Sequence, residues 1–94
     1  MSASQSYIKI TSAGGGVDDW ARRILLQLGE KGEALLTAIG DDVCLLFDAI
    51  NEAKELGSLD LDVSIVRVGI VRRGDDKLPY ISVAVKLKGG AQRG

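Results

Sequence analysis

At 94 residues the chain has the size of one domain, and with 46% hydrophobic and 27% charged residues it holds enough apolar material to offset chain entropy, which excludes disorder for its body. Its longest apolar run, residues 34–39 broken only by Thr37, is far short of the roughly 20 residues that cross a bilayer, and the residues after Met1 lack the basic-then-apolar order of a secretory signal, so a cytoplasmic protein with no membrane partner is expected. The net charge of −1 excludes a uniformly basic polyanion binder but hides a division: residues 1–66 carry five Lys/Arg against eleven Asp/Glu, and residues 67–94 carry seven against Asp75 and Asp76 alone.

In chain order, Tyr7-Ile8-Lys9-Ile10-Thr11 alternates polar and apolar residues as a first strand does, with Ile8 and Ile10 facing inward. Gly14-Gly15-Gly16 interrupts it, and Val17, Trp20, Ala21, Ile24, Leu25 and Leu28 follow at helical spacing, with Asp18 and Asp19 in the first turn where the helix dipole favours carboxylates. Gly29 or Gly32 supplies the stop. Residues 33–39, short, apolar and bounded by Gly32 and Gly40, read as a buried parallel strand.

After Gly40, Asp41 or Asp42 is expected to cap a second helix. Its apolar face would be Val43, Leu46, Phe47, Ile50 and Ala53, with Asp48, Glu52 and Glu55 on the other side and an end near Gly57. Cys44, the single cysteine, falls in this pattern and is expected to pack as a small apolar residue. Leu61, Val63 and Ile65 then alternate in one phase and Val66, Val68 and Ile70 in the other, a slip that a β-bulge near Ile65 and Val66 would absorb.

Gly74-Asp75-Asp76 provides a hairpin turn, Pro79 suits the start of a strand or an unpaired edge, and Ile81, Val83, Val85 and Leu87 form the inward row of a fourth strand. Two strand-helix units in succession imply parallel strands with right-handed crossovers, so both helices lie on one face. The expected architecture is α/β, an α+β two-layer sandwich of order β-α-β-α-β-β with a mixed four-stranded sheet. It forms a single domain over residues 1–94, with an ordered core at about 7–88 and flexible ends. Lys9, Thr11, Tyr80, Ser82, Lys86 and Lys88 are expected on the open face.

The order of elements and several local strings resemble the Alba superfamily. Leu36-Thr37-Ala38-Ile39-Gly40, followed by an amphipathic helix carrying Glu-Ala-Lys-Glu, is similar to the junction of second strand and second helix in those proteins. Stage V sporulation protein S is the nearer match at residues 8–12 and 38–40, and archaeal Alba chromatin proteins at residues 66–71 and 78–83. The resemblance covers roughly residues 7–88 and rests on short motifs. It implies an Alba-like fold and a homodimer or higher homo-oligomer that binds DNA or RNA, with nucleoid association as one form of a cytoplasmic role. The implied contacts come from the loop before each helix and from the last hairpin, here residues 11–17, 40–43 and 67–77. In this chain the first loop carries glycines and the second Asp41 and Asp42, so the cations belong to the hairpin.

Arg67, Arg72, Arg73 and Lys77 are therefore the candidate nucleic-acid-binding residues, placed on a ribbon along phosphates. Tyr80, on the outward row beside them, is a candidate for stacking on a base. Gly14-Gly15-Gly16 lacks the Lys-Ser/Thr ending of a P-loop and reads as a flexible turn, and Trp20, on an apolar stripe, reads as core. With no histidine and one cysteine, the usual acid-base and nucleophilic constellations cannot be assembled, so a non-enzymatic protein without cofactor or metal is expected. Three readings compete: low-specificity nucleic-acid binding by a dimer; a protein-interaction or assembly module of the same fold with weak or no such affinity, as the acidic loops Asp18, Asp19, Asp41 and Asp42 suggest, whose hairpin would meet Asp48, Glu52 and Glu55 of another subunit; and, by analogy with the sporulation family alone, a sporulation-type regulatory protein.

Overall fold

The computed structural model describes residues 7–88; the expected flexible ends, with Arg93, lie outside the described residues. The elements are β1 (Ile8–Lys9), α1 (Val17–Lys31), β2 (Glu33–Ile39), α2 (Asp42–Gly57), β3 (Leu61–Arg73) and β4 (Asp76–Leu87), in the order expected. They form one sheet of spatial order β1-β2-β4-β3, in which β1 runs parallel to β2 and the other pairs are antiparallel. β1 is shorter than its alternation predicts. Ile10 still donates its N–H to the Thr37 carbonyl at 2.9 Å, but the Thr11 hydroxyl accepts from Gly14 N and turns the chain away.

Both helices cover one face of the sheet. Trp20, Ala21, Ile24 and Leu28 of α1 and Leu46, Ala49, Ile50 and Ala53 of α2 are buried against Ile10, Ala34, Leu36, Ala38, Ile81, Val83 and Val85. Two expectations about α2 fail. Phe47 is 41% exposed and Cys44 is exposed as well. The buried stripe follows the small residues Ala49 and Ala53, which let α2 approach α1 and the sheet closely, and this rotation turns Phe47 and Cys44 outward.

The phase slip in β3 is resolved as anticipated. Pairing with β4 runs in register from Leu61↔Leu87 to Ile65↔Val83, shifts by one at Val66, and resumes at Arg67↔Ser82. Because directly opposed residues share a face, Leu61, Val63, Ile65, Val68 and Ile70 all lie on the helix side, opposite the inward row of β4. The helices pack over β2 and leave this row of β3 in solvent, with Ile65, Val68 and Ile70 between 61% and 63% exposed.

Gly74 takes φ 59° at the first central position of the two-residue turn, and Asp75 does not take a positive φ, the combination of a type II′ hairpin. Pro79 opposes Ile70 in a pair without ladder hydrogen bonds to β3. Its carbonyl points the other way and accepts from Gly40 N, so the missing N–H falls where β2 has ended.

Candidate nucleic-acid interface

β1 and β2 run parallel, and each leads into a helix, so the loops at residues 11–17 and 40–43 emerge at the same end of the sheet. β4 is antiparallel to β2, which brings the hairpin turn to that end too. The last β2 pair is Ile39↔Tyr80, whereas β3 and β4 continue together from Ile70↔Pro79 to Arg73↔Asp76. The hairpin thus extends past β2 by four residue pairs, about 13 Å.

Three of the four candidate cations stand on this extension. Arg72 and Lys77 are directly opposite and point to the helix side, beyond the helix-covered rows. The pair lies one step from the turn-flanking pair Arg73↔Asp76, hence in a position without ladder bonds, where Cα atoms approach to about 4.5 Å and side chains are closest. Like charges directly opposed are unfavourable in isolation. Arg73 points to the open face with Asp76 opposite it. Arg67 lies off the extension, on the open face opposite Ser82 where all four strands run side by side. The four cations are thus divided between two faces of the ribbon, and all four are exposed.

The first loop is built rather than loose. The Trp20 indole N–H donates to the Thr11 carbonyl at 2.9 Å, the Thr11 hydroxyl accepts from Gly14 N at 3.1 Å, and the Asp19 carboxylate accepts from Gly16 N at 3.0 Å. Trp20 is buried, and Arg23 lies 4.4 Å above its ring. Residues 12–14 form a single 3-10 turn that takes in Gly14, the first residue of the glycine triplet.

The second loop departs from its expected cap. Asp41 occupies the N-cap of α2 with φ −66° and ψ −18°, helical angles that turn its side chain away from the first-turn N–H groups, and it makes no capping bond. Asp42 does not cap either; its Oδ1 accepts from Ser12 N at 3.2 Å and ties the two loops together. A cleft of about 390 Å³ lies between the loops and the hairpin, lined by Lys9 and Arg73, by Asp41 and Asp42, by Thr11 and Ser12, and by Ile39 and Leu78. Cations and carboxylates thus face one space.

The open face holds Lys9, Tyr80 and Lys86 as expected, but Ser82 is only 8% exposed. Its hydroxyl donates to the Thr37 hydroxyl at 3.1 Å, which donates to the Ile81 carbonyl at 3.1 Å, so both are satisfied within the sheet. Among the described residues, no three His, Cys, Asp or Glu side chains gather as a metal site would require, and no helix is long and apolar enough to cross a membrane.

The chain superimposes on Alba from Thermoplasma volcanium with a TM-score of 0.67 at 8% sequence identity, over 86% of this chain and 99% of that one. The fold is Alba-like. ALBA1 from Trypanosoma brucei shares it with a TM-score of 0.61 at 13% identity, over 93% of this chain and 74% of that one. No family model and no curated protein matches the sequence. At these identities the Alba-like likeness is one of backbone architecture.

Proposed function

We propose that the protein is a non-enzymatic, dimeric nucleic-acid-binding protein of low sequence specificity, acting in the cytoplasm on DNA or RNA through its basic hairpin. The observation that carries this reading is the Arg72–Lys77 pair. Two exposed cations stand directly opposite each other at a closely spaced cross-strand position, next to Arg73, on a ribbon that extends past the rest of the sheet. An arrangement unfavourable by itself becomes favourable when a phosphate lies between the two charges and counterions are released from the polyanion. The Alba-like fold and the local strings that resemble Alba proteins support the same reading. Contacts to the backbone alone carry no sequence information, hence the low specificity.

A second copy of the chain fits the helix-side row Val63, Ile65, Val68 and Ile70, an exposed apolar strip on β3 that the helices do not reach. Pairing of two such strips would set two hairpins on one assembly and multiply their affinity.

The test is a gel-shift titration with duplex DNA and single-stranded RNA at low and moderate salt. The expected result is binding that weakens steeply with salt and is lost in Arg72→Ala/Arg73→Ala. Absence of binding to both polymers at low salt would remove the proposal. Salt-sensitive assembly beyond a dimer without nucleic acid would instead favour the assembly module, with the hairpin meeting Asp48 and Glu55, both exposed on α2.

A further inference from the structure

Two irregularities of β3 act on the open face of the sheet. The extra residue Val66 shifts the register, so Arg67, which unbroken alternation from Ile65 would put on the helix side, points to the open face. Three residues on, Gly69 opposes Tyr80, and the end of the Tyr80 ring lies over the glycine so closely that a Cβ there would stand 2.6 Å from Cε2 and 2.9 Å from Cζ. The missing side chain lets the ring lie across the neighbouring strand instead of standing upright on the sheet. A bulge and a glycine within four residues thus shape one surface.

The register places further groups in line with them. Lys9, Thr37, Ser82 and Arg67 form one continuous row across all four strands. Cations hold the two edges of that row, three strand spacings or roughly 14 Å apart. The hydroxyls between them are small and bonded to each other and to the backbone, which leaves a low floor. The next row is Ile39, Tyr80 and Gly69, and beyond it Leu78 leads into the cleft that Lys9 and Arg73 also line. Of the carboxylates near this face, Glu33 and Asp62 flank Lys86 at the opposite end, Asp76 opposes Arg73 at the tip, and Asp41 and Asp42 share the cleft with Lys9 while Arg67 stands clear of it.

We infer that the open face is a stacking platform for an unpaired nucleic-acid strand, with one base on the Tyr80 ring and phosphates at Lys9 and Arg67. A flat aromatic ring flanked by cations is the arrangement by which sheet surfaces bind single strands with little sequence preference. A duplex, whose bases are already stacked on each other, has no free ring face to offer Tyr80. The inference rests on the nucleic-acid reading above and adds to it the strandedness of the ligand and a second surface.

The experiment measures fluorescence anisotropy of a labelled mixed-sequence single-stranded oligonucleotide and of the same strand annealed to its complement, at low salt. Tyr80→Leu should weaken single-strand binding roughly 5- to 100-fold and leave duplex binding unchanged, whereas Tyr80→Phe retains both. Lys9→Ala, at an exposed position of β1, should weaken single-strand binding and reduce its log-log salt slope by about 0.7. Should Tyr80→Leu lose its far-UV circular dichroism, Lys9→Ala and Arg67→Ala decide the question. Single-strand binding unchanged in these variants, or displaced by polyglutamate as readily as by unlabelled strand, overturns the platform. Wild type that binds the duplex and not the single strand overturns the platform and leaves the hairpin proposal standing; binding to neither overturns both.

Discussion

The indole N–H of Trp20 donates to the carbonyl of Thr11 at 2.9 Å, joining the first turn of α1 to the residue where β1 gives way to the loop. The same Thr11 caps the 3-10 turn with its hydroxyl. Replacing Trp20 by Phe removes the donor, leaves the part-buried Thr11 carbonyl only its 3.1 Å bond from Gly14 N and opens space beside the loop. We expect Trp20→Phe to lower stability by about 1–3 kcal/mol, read from urea unfolding followed by circular dichroism. A midpoint equal to that of the wild type would show that the bond does not hold the loop.

Gly69 and Tyr80 are coupled by shape. Gly69→Ala places a methyl within the present position of the ring, and the expected cost is about 1–3 kcal/mol. In the double variant Gly69→Ala/Tyr80→Ala the clash disappears, so the two single costs should sum to more than the double. Strict additivity in thermal or urea unfolding would contradict the contact.

The apolar row on β3 gives a prediction about assembly. Ile65→Asp and Val68→Asp alter side chains that stand in solvent in the single chain, so the fold should survive with its circular dichroism intact. If two copies pair through this row, each substitution buries a charge in the interface, and light scattering should show the mass fall to one chain. A mass unaffected by both substitutions would place the interface elsewhere.

Asp41 and Asp42 differ in what they do for the fold, and their substitution should separate charge from structure. Asp41 is exposed and makes no capping bond, so Asp41→Asn should change stability by less than about 0.5 kcal/mol while tightening duplex binding by removing a negative charge near Arg73. Asp42→Ala loses the bond to Ser12 N as well and should cost about 1 kcal/mol. Electrophoretic titration at low salt, paired with thermal melting, checks both; weaker binding by Asp41→Asn would assign that carboxylate a direct contact.

Much of this architecture can be read from local patterns because each rests on a period. The run bounded by Gly32 and Gly40 forms β2 over Glu33–Ile39, and the stripe from Val17 onward forms α1. The change of phase at Ile65 and Val66 marks the bulge. What the periods do not contain is distance across the fold. Phe47 satisfies the helical spacing as well as Ala49 does, and only the closeness of α2 to its neighbours decides that the small residue faces inward. Asp42 has the chemistry of a cap, yet Ser12, thirty residues away in sequence, takes its oxygen. The division of Arg67 and Arg73 from Arg72 and Lys77 follows from register beyond the bulge, which a list of cations within eleven residues does not convey.

Val66 is uncharged and exposed, and composition would assign it no importance. Deleting it would leave the net charge at −1 and the hairpin turn intact. Deletion would also keep every remaining pair of the ladder on its present face, whereas pairing Val66 into the ladder, with the residues before it held in place, would exchange the surfaces of every side chain from Arg67 to Arg73: Val68 and Ile70 would meet the outer side of the sheet, and Arg67 the helix side. The electrostatic map of this molecule is therefore a matter of parity, written by which residues of one strand enter the pairing as much as by their identity.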